Sequence, residues 1–571
     1  MSDDTAIINL RWAMALVEGL VASGVTRVVI SPGSRSTPLA LAFLHHPLVR
    51  AWVQVDERSA AFFALGLAKA DRHPAVLVCT SGSAPANWFP AVIEAGYGKI
   101  PLILLTADRP PELRDCGANQ TIDQAGLFGS HVRASHELPP AAATAQALAA
   151  VRRLAARATD QSRWTLPGPV HINVPLHEPL VPAGILPEWE PAAAPVSVNY
   201  PAMQPPQPEM ATLATELSGR PGLIVCGEDE YGEQFPVVLA QLADALSCPV
   251  LADPLANLRF GPHDRSHIFG RYDAFLRRED FAKNHRPEWV LRFGAMPVSR
   301  QVQLYLSACT AATHILVEPY GRWPDPLHQT GRLVRADPAA VCSALLAMRP
   351  CSAPVAWLES FLEQERRVAE LMGDVEKPLE AEVIESLFRR MGSGSCLFSG
   401  NSMAIRDLDS FAAGGDAALR IVGNRGASGI DGNVSTALGL AAGLEKPVAA
   451  LLGDLALYHD MNGLLAARGM NITFVMINNG GGGIFGYLPQ AGLVDFERAW
   501  LTPTGLDFSL AARMYGLNYR LVKNADGFDA AFADALAHDG PDMIEVQVDR
   551  EGSATLHRAY WAAAGALFIK N

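Results

Sequence analysis

Short apolar runs rich in Val, Ile and Leu return along the whole chain, each separated from the next by a helix-length segment. In the first third they are RVVI (27–30), AWVQV (51–55), AVLVC (75–79) and PLILLT (101–106). The middle third carries GLIVC, PVLA, WVLRF and HILVE. The last third carries CLFS (396–399), RIVG (420–423), VAALLG (448–453), ITFVMI (472–477) and MIEVQV (543–548). A run that is apolar at nearly every position has no face left for water. Alternation with helical lengths then calls for parallel strands joined by crossover helices that cover both faces of a sheet. The pattern predicts an α/β chain of three doubly wound parallel-sheet domains. A length of 571 residues, too long for one core, agrees.

Proline marks the joints. One proline-rich stretch runs through PLHEPLVPAGILPEWEPAAAP to YPAMQPPQPEM, and another is MRPCSAPVAW at 348–357. Proline fixes φ and removes a donor, so both read as connectors. The expected layout is a first domain at 1–182, a connector at 183–210, a central domain at 211–348 and a last domain at 349–571. With 49% hydrophobic and 18% charged residues the chain is globular in type. A net charge of −13 argues against nucleic acid as a partner, because phosphate binding needs an excess of Lys and Arg. The eight cysteines form no CxxC pair, so neither a zinc site nor a thioredoxin-type motif is expected, and buried reduced thiols are. The start, MSDDTAIINL, lacks a signal-peptide pattern. No apolar run approaches the ~20 residues of a membrane span. A cytoplasmic protein without membrane partners is the expectation.

Doubly wound sheets bind ligands beyond the carboxyl ends of their strands. There the chain reads SPGSRST, DERSAAFFALGLAKA, TSGSAPAN and ADRPPELRDCGANQ in the first third. In the last third it reads GNSMAIRDLD, GNRGASGIDGNVS, DLALYHD and NNGGGGIF. Any one of these is explained as a turn. Their recurrence on one predicted edge favours a single site built by both domains. Glu57 reads either as a first-turn acid favoured by the helix dipole or as a carboxyl group against Ala60, Phe63 and Ala64, placed to exchange a proton with a ring nitrogen. Asp454 reads either as an N-cap or as a metal ligand. Asn479 follows the next strand, so the two can meet where adjacent parallel strands end. A carboxylate, an amide oxygen and a carbonyl of the glycine run form an all-oxygen set suited to Mg²⁺ and a diphosphate. Ser402, just before a helix whose backbone N–H groups favour anions, adds a hydroxyl.

GDL at 453–455 with NN at 478–479 resembles the thiamine-diphosphate motif GDG…NN, with Leu455 where glycine is usual. The longer strings SPGSRSTPLALA, DERSAAFFALGLAKA, TSGSAPANWFPAVIEA, LLTADRPPELRDCGANQTIDQ, GNSMAIRD, NRGASGIDGNVSTA and NNGGGGIF are similar to those of the 2-succinyl-5-enolpyruvyl-6-hydroxy-3-cyclohexene-1-carboxylate synthase family. The resemblance spans the first and last thirds nearly end to end. It implies thiamine diphosphate with Mg²⁺, or Mn²⁺ in its place, and the substrates 2-oxoglutarate and isochorismate. The reaction implied is decarboxylation followed by conjugate (Stetter-type) addition in menaquinone biosynthesis. It also implies a homodimer or a dimer of dimers, with the cofactor between the first domain of one chain and the last domain of another.

By the same resemblance, Glu57 would act on the aminopyrimidine ring. Asp454, Asn479 and the Gly481 carbonyl would hold the metal. Pro32, Thr80, Asn87 and Asn401 would line the cofactor, together with Ser402, Gly453 and Ile484, and Ile430 would prop it in a bent form. Arg35, Arg109, Arg406 and Arg425 would bind the carboxylates of the substrates, aided by Ser34, Asn119, Gln120 and Phe485. Arg300 in VSRQ matches a substrate position of some relatives, although Gln301 departs from their pattern. The loop CGANQ lacks the His-His pair of decarboxylases that release simple aldehydes, and the pair His45-His46 is expected at the surface. Two rival readings remain at this stage: another thiamine-diphosphate carboligase or 2-oxoacid decarboxylase, and a non-catalytic nucleotide-binding or regulatory α/β protein.

Overall fold

A computed structural model describes residues 2–183, 187, 189 and 196–567. The first sheet comprises β1 (Arg27–Ile30), β2 (Arg50–Val53), β3 (Ala75–Cys79), β4 (Leu102–Asp108), β5 (Ala134–Glu137) and β6 (Pro169–Pro175). The middle sheet comprises β7 (Gly222–Cys226), β8 (Val250–Ala252), β9 (Ile268–Phe269), β10 (Trp289–Phe293), β11 (Thr313–Val317) and β12 (Thr330–Val334). The last comprises β13 (Cys396–Ser399), β14 (Arg420–Gly423), β15 (Val448–Gly453), β16 (Ile472–Asn478), β17 (Asn518–Val522) and β18 (Pro541–Gln547). Every described pairing is parallel, so the three doubly wound domains read from the apolar runs are present.

The first and last sheets share one order. β2-β1-β3-β4-β6-β5 in the first becomes β14-β13-β15-β16-β18-β17 in the last. The middle sheet differs, as β12-β11-β10-β7-β8-β9. The sequence pattern missed five strands. β5, β9, β12 and β17 lie at or next to sheet edges, where ASHE, TGRLV and NYRLV mix polar with apolar residues. β6 is fully buried, yet its sequence PVHINVP carries His171 and Asn173. Those two are satisfied from neighbouring segments by Thr106, Gln124 and Asp108. β2 is shorter than AWVQV, and Val53 and Val55 are exposed at its end.

The first and last domains join through two crossing helices, Glu57–Asp71 and Asn433–Leu444. The first is buried from Ser59 to Ala70 and apolar nearly all round, as a central core helix must be. Gly66 and Gly439 lie at the crossing. A Cβ at Gly66 would overlap the Thr436 carbonyl oxygen, and one at Gly439 the Phe63 carbonyl oxygen. Only glycine allows the two backbones so close.

Other expectations are corrected. Helix Asp4–Ala22 is long and apolar enough to cross a membrane by length and composition, contrary to the sequence reading. It packs instead in the first domain's core, against helices Thr37–Leu44 and Ala145–Arg163. Of the pair expected at the surface, His46 is buried; its ring meets Trp189 edge-on and lies 3.5 Å from Glu18. The connector expected at 183–210 lies partly outside the described residues, and helix Gln207–Leu217 begins within it. Helix Val355–Asp374, expected with the last domain, lies on the middle one: Trp357 donates to the Gly222 carbonyl, and Phe361 packs on Phe269 and Phe275. Six cysteines are buried and two, Cys116 and Cys351, are exposed; all are free thiols.

Candidate active site

Strand order in the last sheet reverses between β13 and β15, which opens a crevice beyond their carboxyl ends. Asn401 and Ser402 follow β13, and Asp454 follows β15. β16 pairs with β15 in a register that sets Gly453 opposite Ile477, so Asn479 emerges at the same edge. Asp454 is 2% exposed. It is the first residue of helix Asp454–His459 rather than its cap, a position held by Gly453. Burial pushes its carboxyl up to about 6, against the pull of backbone N–H groups that include Gly481. Asn479 Oδ1 is buried and accepts no hydrogen bond. An amide oxygen without a donor, a buried carboxylate and a carbonyl-bearing turn suit a hard divalent cation. No set of three or more His, Cys, Asp or Glu side chains converges on a metal-sized site among the described residues.

The turn after β16 explains its four glycines one by one. Gly480 has φ 74° and Gly481 φ 133°, both in the region that favours glycine. A Cβ at Gly481 would overlap the Leu501 carbonyl oxygen, and one at Gly482 would lie 2.5 Å from the Trp500 carbonyl oxygen. A Cβ at Gly483 would overlap the Asn479 amide. The turn is therefore wedged between segment 500–501 and the Asn479 side chain. Gly482 N donates to Leu501 O at 2.7 Å. Ile484 and Phe485 follow in the short helix Gly483–Tyr487, half-buried. A cavity of about 630 Å³ runs from Asn479 past Gly483, Tyr487 and Met403 to Arg558.

Loop 424–430 closes the other side. Asn401 Nδ2 donates to Asn424 O at 2.8 Å and Gly429 O at 2.7 Å, and its Oδ1 accepts from Arg425 Nη1 at 2.7 Å. Arg406 donates to Ser402 O at 2.6 Å. Desolvation, and then the like charge of Arg425, hold Arg406 below the usual arginine range. Among the described residues, neither arginine has a carboxylate in ion-pair contact. Ser402 has φ 67° at the start of helix Met403–Phe411. Ile430 is 37% exposed, and its carbonyl accepts from Asn433.

The first domain presents a matching edge. Gly33 lies so close to Thr80 that a Cβ there would overlap it, which sets SPGS on TSGS. Thr80 is buried, whereas Pro32, Ser34 and Asn87 are exposed. Arg35 is 3% exposed; it donates to Leu176 O at 2.8 Å and pairs with Glu178 at 2.5 Å. Arg109 donates to Asn119 O at 3.1 Å and reaches the same Glu178 at 3.3 Å. Gln120 exchanges hydrogen bonds of 2.9 Å with Ser81 in both directions. Glu57 opens its helix behind the N-cap Asp56 and is half-buried. Its neighbours Arg58 and Ser59 bond to His459 O and Asp460 of the same chain. Among the described residues, no hydrogen bond or ion pair joins Glu57 to Asp454 or Asn479. Arg300 stands exposed on helix Arg300–Ala308 of the middle domain, without a described partner at this edge.

Sequence reasoning missed Glu178 and a buried cluster behind helix Met403–Phe411. There His557 contacts Asp407 at 3.2 Å, Ser553 donates to Glu380 at 2.7 Å, and Tyr487 lies 3.3 Å from His557. No local motif marks these residues: Ser553 and His557 share helix Arg550–Ala566, but Asp407, Glu380, Tyr487 and Glu178 come from other elements.

Known proteins bear on this geometry. Residues 10–127 match the thiamine pyrophosphate enzyme N-terminal TPP binding domain. Residues 185–398 match the middle domain of thiamine pyrophosphate enzymes, and 416–546 the C-terminal TPP binding domain. A 2-succinyl-5-enolpyruvyl-6-hydroxy-3-cyclohexene-1-carboxylate synthase of Dechloromonas aromatica (strain RCB) is 46% identical, over 95% of this chain and 99% of its own length. Synthases of the same name from Chloroflexus aurantiacus and Bacillus velezensis are 44% and 42% identical, each over 96% of this chain and over 95% and 96% of their own. With three such domains in order and this likeness from end to end, the chain belongs to the 2-succinyl-5-enolpyruvyl-6-hydroxy-3-cyclohexene-1-carboxylate synthase family of thiamine-diphosphate-dependent enzymes.

Proposed function

We propose that the protein is a carbon–carbon bond-forming transferase of menaquinone biosynthesis. It decarboxylates 2-oxoglutarate and joins the succinyl unit to isochorismate by conjugate addition, with release of CO₂. The observation that carries this reading is the unpartnered Asn479 Oδ1 at the sheet end where Asp454 and the glycine turn meet. Asp454, Asn479 and the Gly481 carbonyl would hold Mg²⁺, or Mn²⁺ in its place. Ser402 and the first N–H groups of helix Met403–Phe411 would receive the diphosphate. When bound, thiamine diphosphate supplies the electron sink for loss of CO₂ from a 2-oxo acid.

The chain's own groups do the rest. Glu57 exchanges a proton with a ring nitrogen of the aminopyrimidine. Pro32, Thr80 and Asn87 would line the aminopyrimidine, Asn401, Gly453 and Ile484 the diphosphate, and Ile430 would prop the cofactor in its bent form. Arg406 and Arg425 take substrate carboxylates through charge-assisted, fork-shaped contacts. Arg35 and Arg109 do so from the facing edge, with Ser34, Asn119, Gln120 and Phe485 completing the walls. The family likeness supports a homodimer in which Glu57 of the partner subunit would complete the site; among the described residues, no hydrogen bond or ion pair joins Glu57 to Asp454 or Asn479 of its own chain. Arg300 would add a contact from helix Arg300–Ala308 of the middle domain. The cytoplasm is the proposed compartment, and a connector near 183–210 the proposed first joint.

The test mixes the protein with thiamine diphosphate, Mg²⁺, 2-oxoglutarate and isochorismate. Loss of isochorismate absorbance that requires all four supports the reading. Equal turnover with pyruvate, which lacks the distal carboxylate, would overturn it in favour of another carboligase.

A further inference from the structure

The motif TSGSAPANWFPAVIEA contains one acid, Glu94, that the proposed chemistry leaves unused. Glu94 lies on helix Phe89–Gly98 of the first domain and is 3% exposed. Its two carboxylate oxygens are spent on another domain. Oε1 accepts from Gly426 N at 2.8 Å, and Oε2 from Ala427 N at 2.6 Å. Two consecutive backbone N–H groups aimed at one carboxylate fix both the position and the tilt of a peptide unit. The approach is close on the backbone side as well: a Cβ at Gly426 would overlap the Glu94 carbonyl oxygen and lie 2.6 Å from Gly98 N. One residue before the loop, the buried Lys69 donates to Gly423 O at 2.6 Å. Helix Glu57–Asp71 thus holds the loop's entry while helix Phe89–Gly98 holds its middle.

Within the last domain, Asn401 binds the same loop at Asn424 O and Gly429 O, and holds the Arg425 guanidinium. Asn401 therefore orients the Arg425 side chain, and Glu94 orients the backbone that carries it. We infer that Glu94 is a positioning residue for the reaction: through Gly426 and Ala427 it sets where Arg425 meets the substrate carboxylate. This rests on the reading of Arg425 as a substrate contact. A neutral amide of the same shape keeps one acceptor oxygen but turns an N–H donor toward the second backbone N–H. Glu94→Gln thus disturbs the loop while leaving helix packing in place.

The experiment measures KM for 2-oxoglutarate and for isochorismate, each with the other saturating, in wild type, E94Q, E94D, R425A and the E94Q/R425A double variant. E94Q is expected to raise KM for the substrate held by Arg425 about 10-fold, the scale of one buried donor left unpaired, with kcat changed less than KM. E94D, which keeps both acceptors, is expected to recover part of that loss, and it carries the test if E94Q does not fold. In the R425A background the E94Q substitution is expected to add less than about twofold, because coupled residues are not additive. If E94Q raises KM by the same factor with and without Arg425, the positioning role is overturned and the substrate reading of Arg425 stands. If R425A leaves both KM values unchanged, that reading falls, and the role of Glu94 falls with it.

Discussion

The two arginine pairs of the candidate site face opposite electrostatic situations. Arg35 and Arg109, in the first domain, converge on one carboxylate, Glu178. Arg406 and Arg425, in the last domain, spend their described hydrogen bonds on neutral oxygens, the Ser402 carbonyl and the Asn401 amide. A guanidinium already paired with a carboxylate has part of its charge offset. One held by neutral acceptors keeps its charge for an incoming anion. The same residue type at the same strand ends therefore offers two kinds of contact. On the proposed reading, the last domain would offer its arginines to an anion without a carboxylate in ion-pair contact among the described residues, whereas in the first domain a substrate carboxylate would compete with Glu178.

The largest expected effect separates charge recognition from proton transfer. Glu57→Gln keeps the shape and removes the exchangeable proton, so kcat is expected to fall about 10²–10⁴-fold while substrate KM stays near wild type. Retained turnover would sink the proton-transfer role of Glu57. Next comes the open pair. Arg406→Ala with Arg425→Ala is expected to lower kcat/KM at least about 100-fold, since each charge-assisted contact contributes about 1.5–3 kcal/mol. The same double substitution at Arg35 and Arg109 should cost less, and an equal or larger loss would erase the distinction. A smaller effect, of opposite sign, is expected at the paired edge. Glu178→Gln frees Arg35 and Arg109, so substrate KM should fall about threefold, a modest gain typical of exposed ion pairs. A rise in KM would mean that Glu178 holds the arginines in place rather than competing for them.

The smallest effect concerns the helix that carries Arg406. Burial alone would lower the His557 imidazole, but the hydrogen bond and charge of Asp407, with Glu380 beyond, push it up to about 9. A folded value above the ordinary 6.5 means that the stabilisation is complete below about pH 6.5 and is lost as pH rises through about 9. Melting temperature should therefore drop about 2 °C more between pH 7 and pH 9.5 in wild type than in His557→Gln. Parallel curves for the two proteins would remove His557 as the support behind Arg406.

The fold was legible where strands are buried on both faces. VAALLG and CLFS match β15 and β13 residue for residue, because a central parallel strand is apolar at nearly every position. NYRLV and TGRLV were not legible, because an edge strand alternates and looks like a loop. PVHINVP failed for a different reason. Its buried His171 and Asn173 are satisfied by residues from elsewhere in the domain, information that no local window contains. The site divides in the same way. Asp454 and Asn479 stand one step past readable strands, so strand-end reasoning reaches them. Glu178, Glu94 and His557 act across long chain separations, and nothing beside them in the sequence signals it. In the glycine run, the packing of Gly481 and Gly482 on the carbonyls of Leu501 and Trp500 was not legible, because those carbonyls lie about twenty residues further on.

The helix crossing at Gly66 and Gly439 has a consequence for the chain as it is made. Helix Glu57–Asp71 leaves the ribosome roughly 360 residues before the helix that covers it, and at about 5–20 residues per second that interval is about 20–70 s. Throughout it, the nascent first domain carries a bare apolar face smooth enough for another backbone to lie against. Such a face stays open to water until helix Asn433–Leu444 has been made. The last third therefore covers a face of the first domain's core, and that core is complete only once helix Asn433–Leu444 has been synthesised.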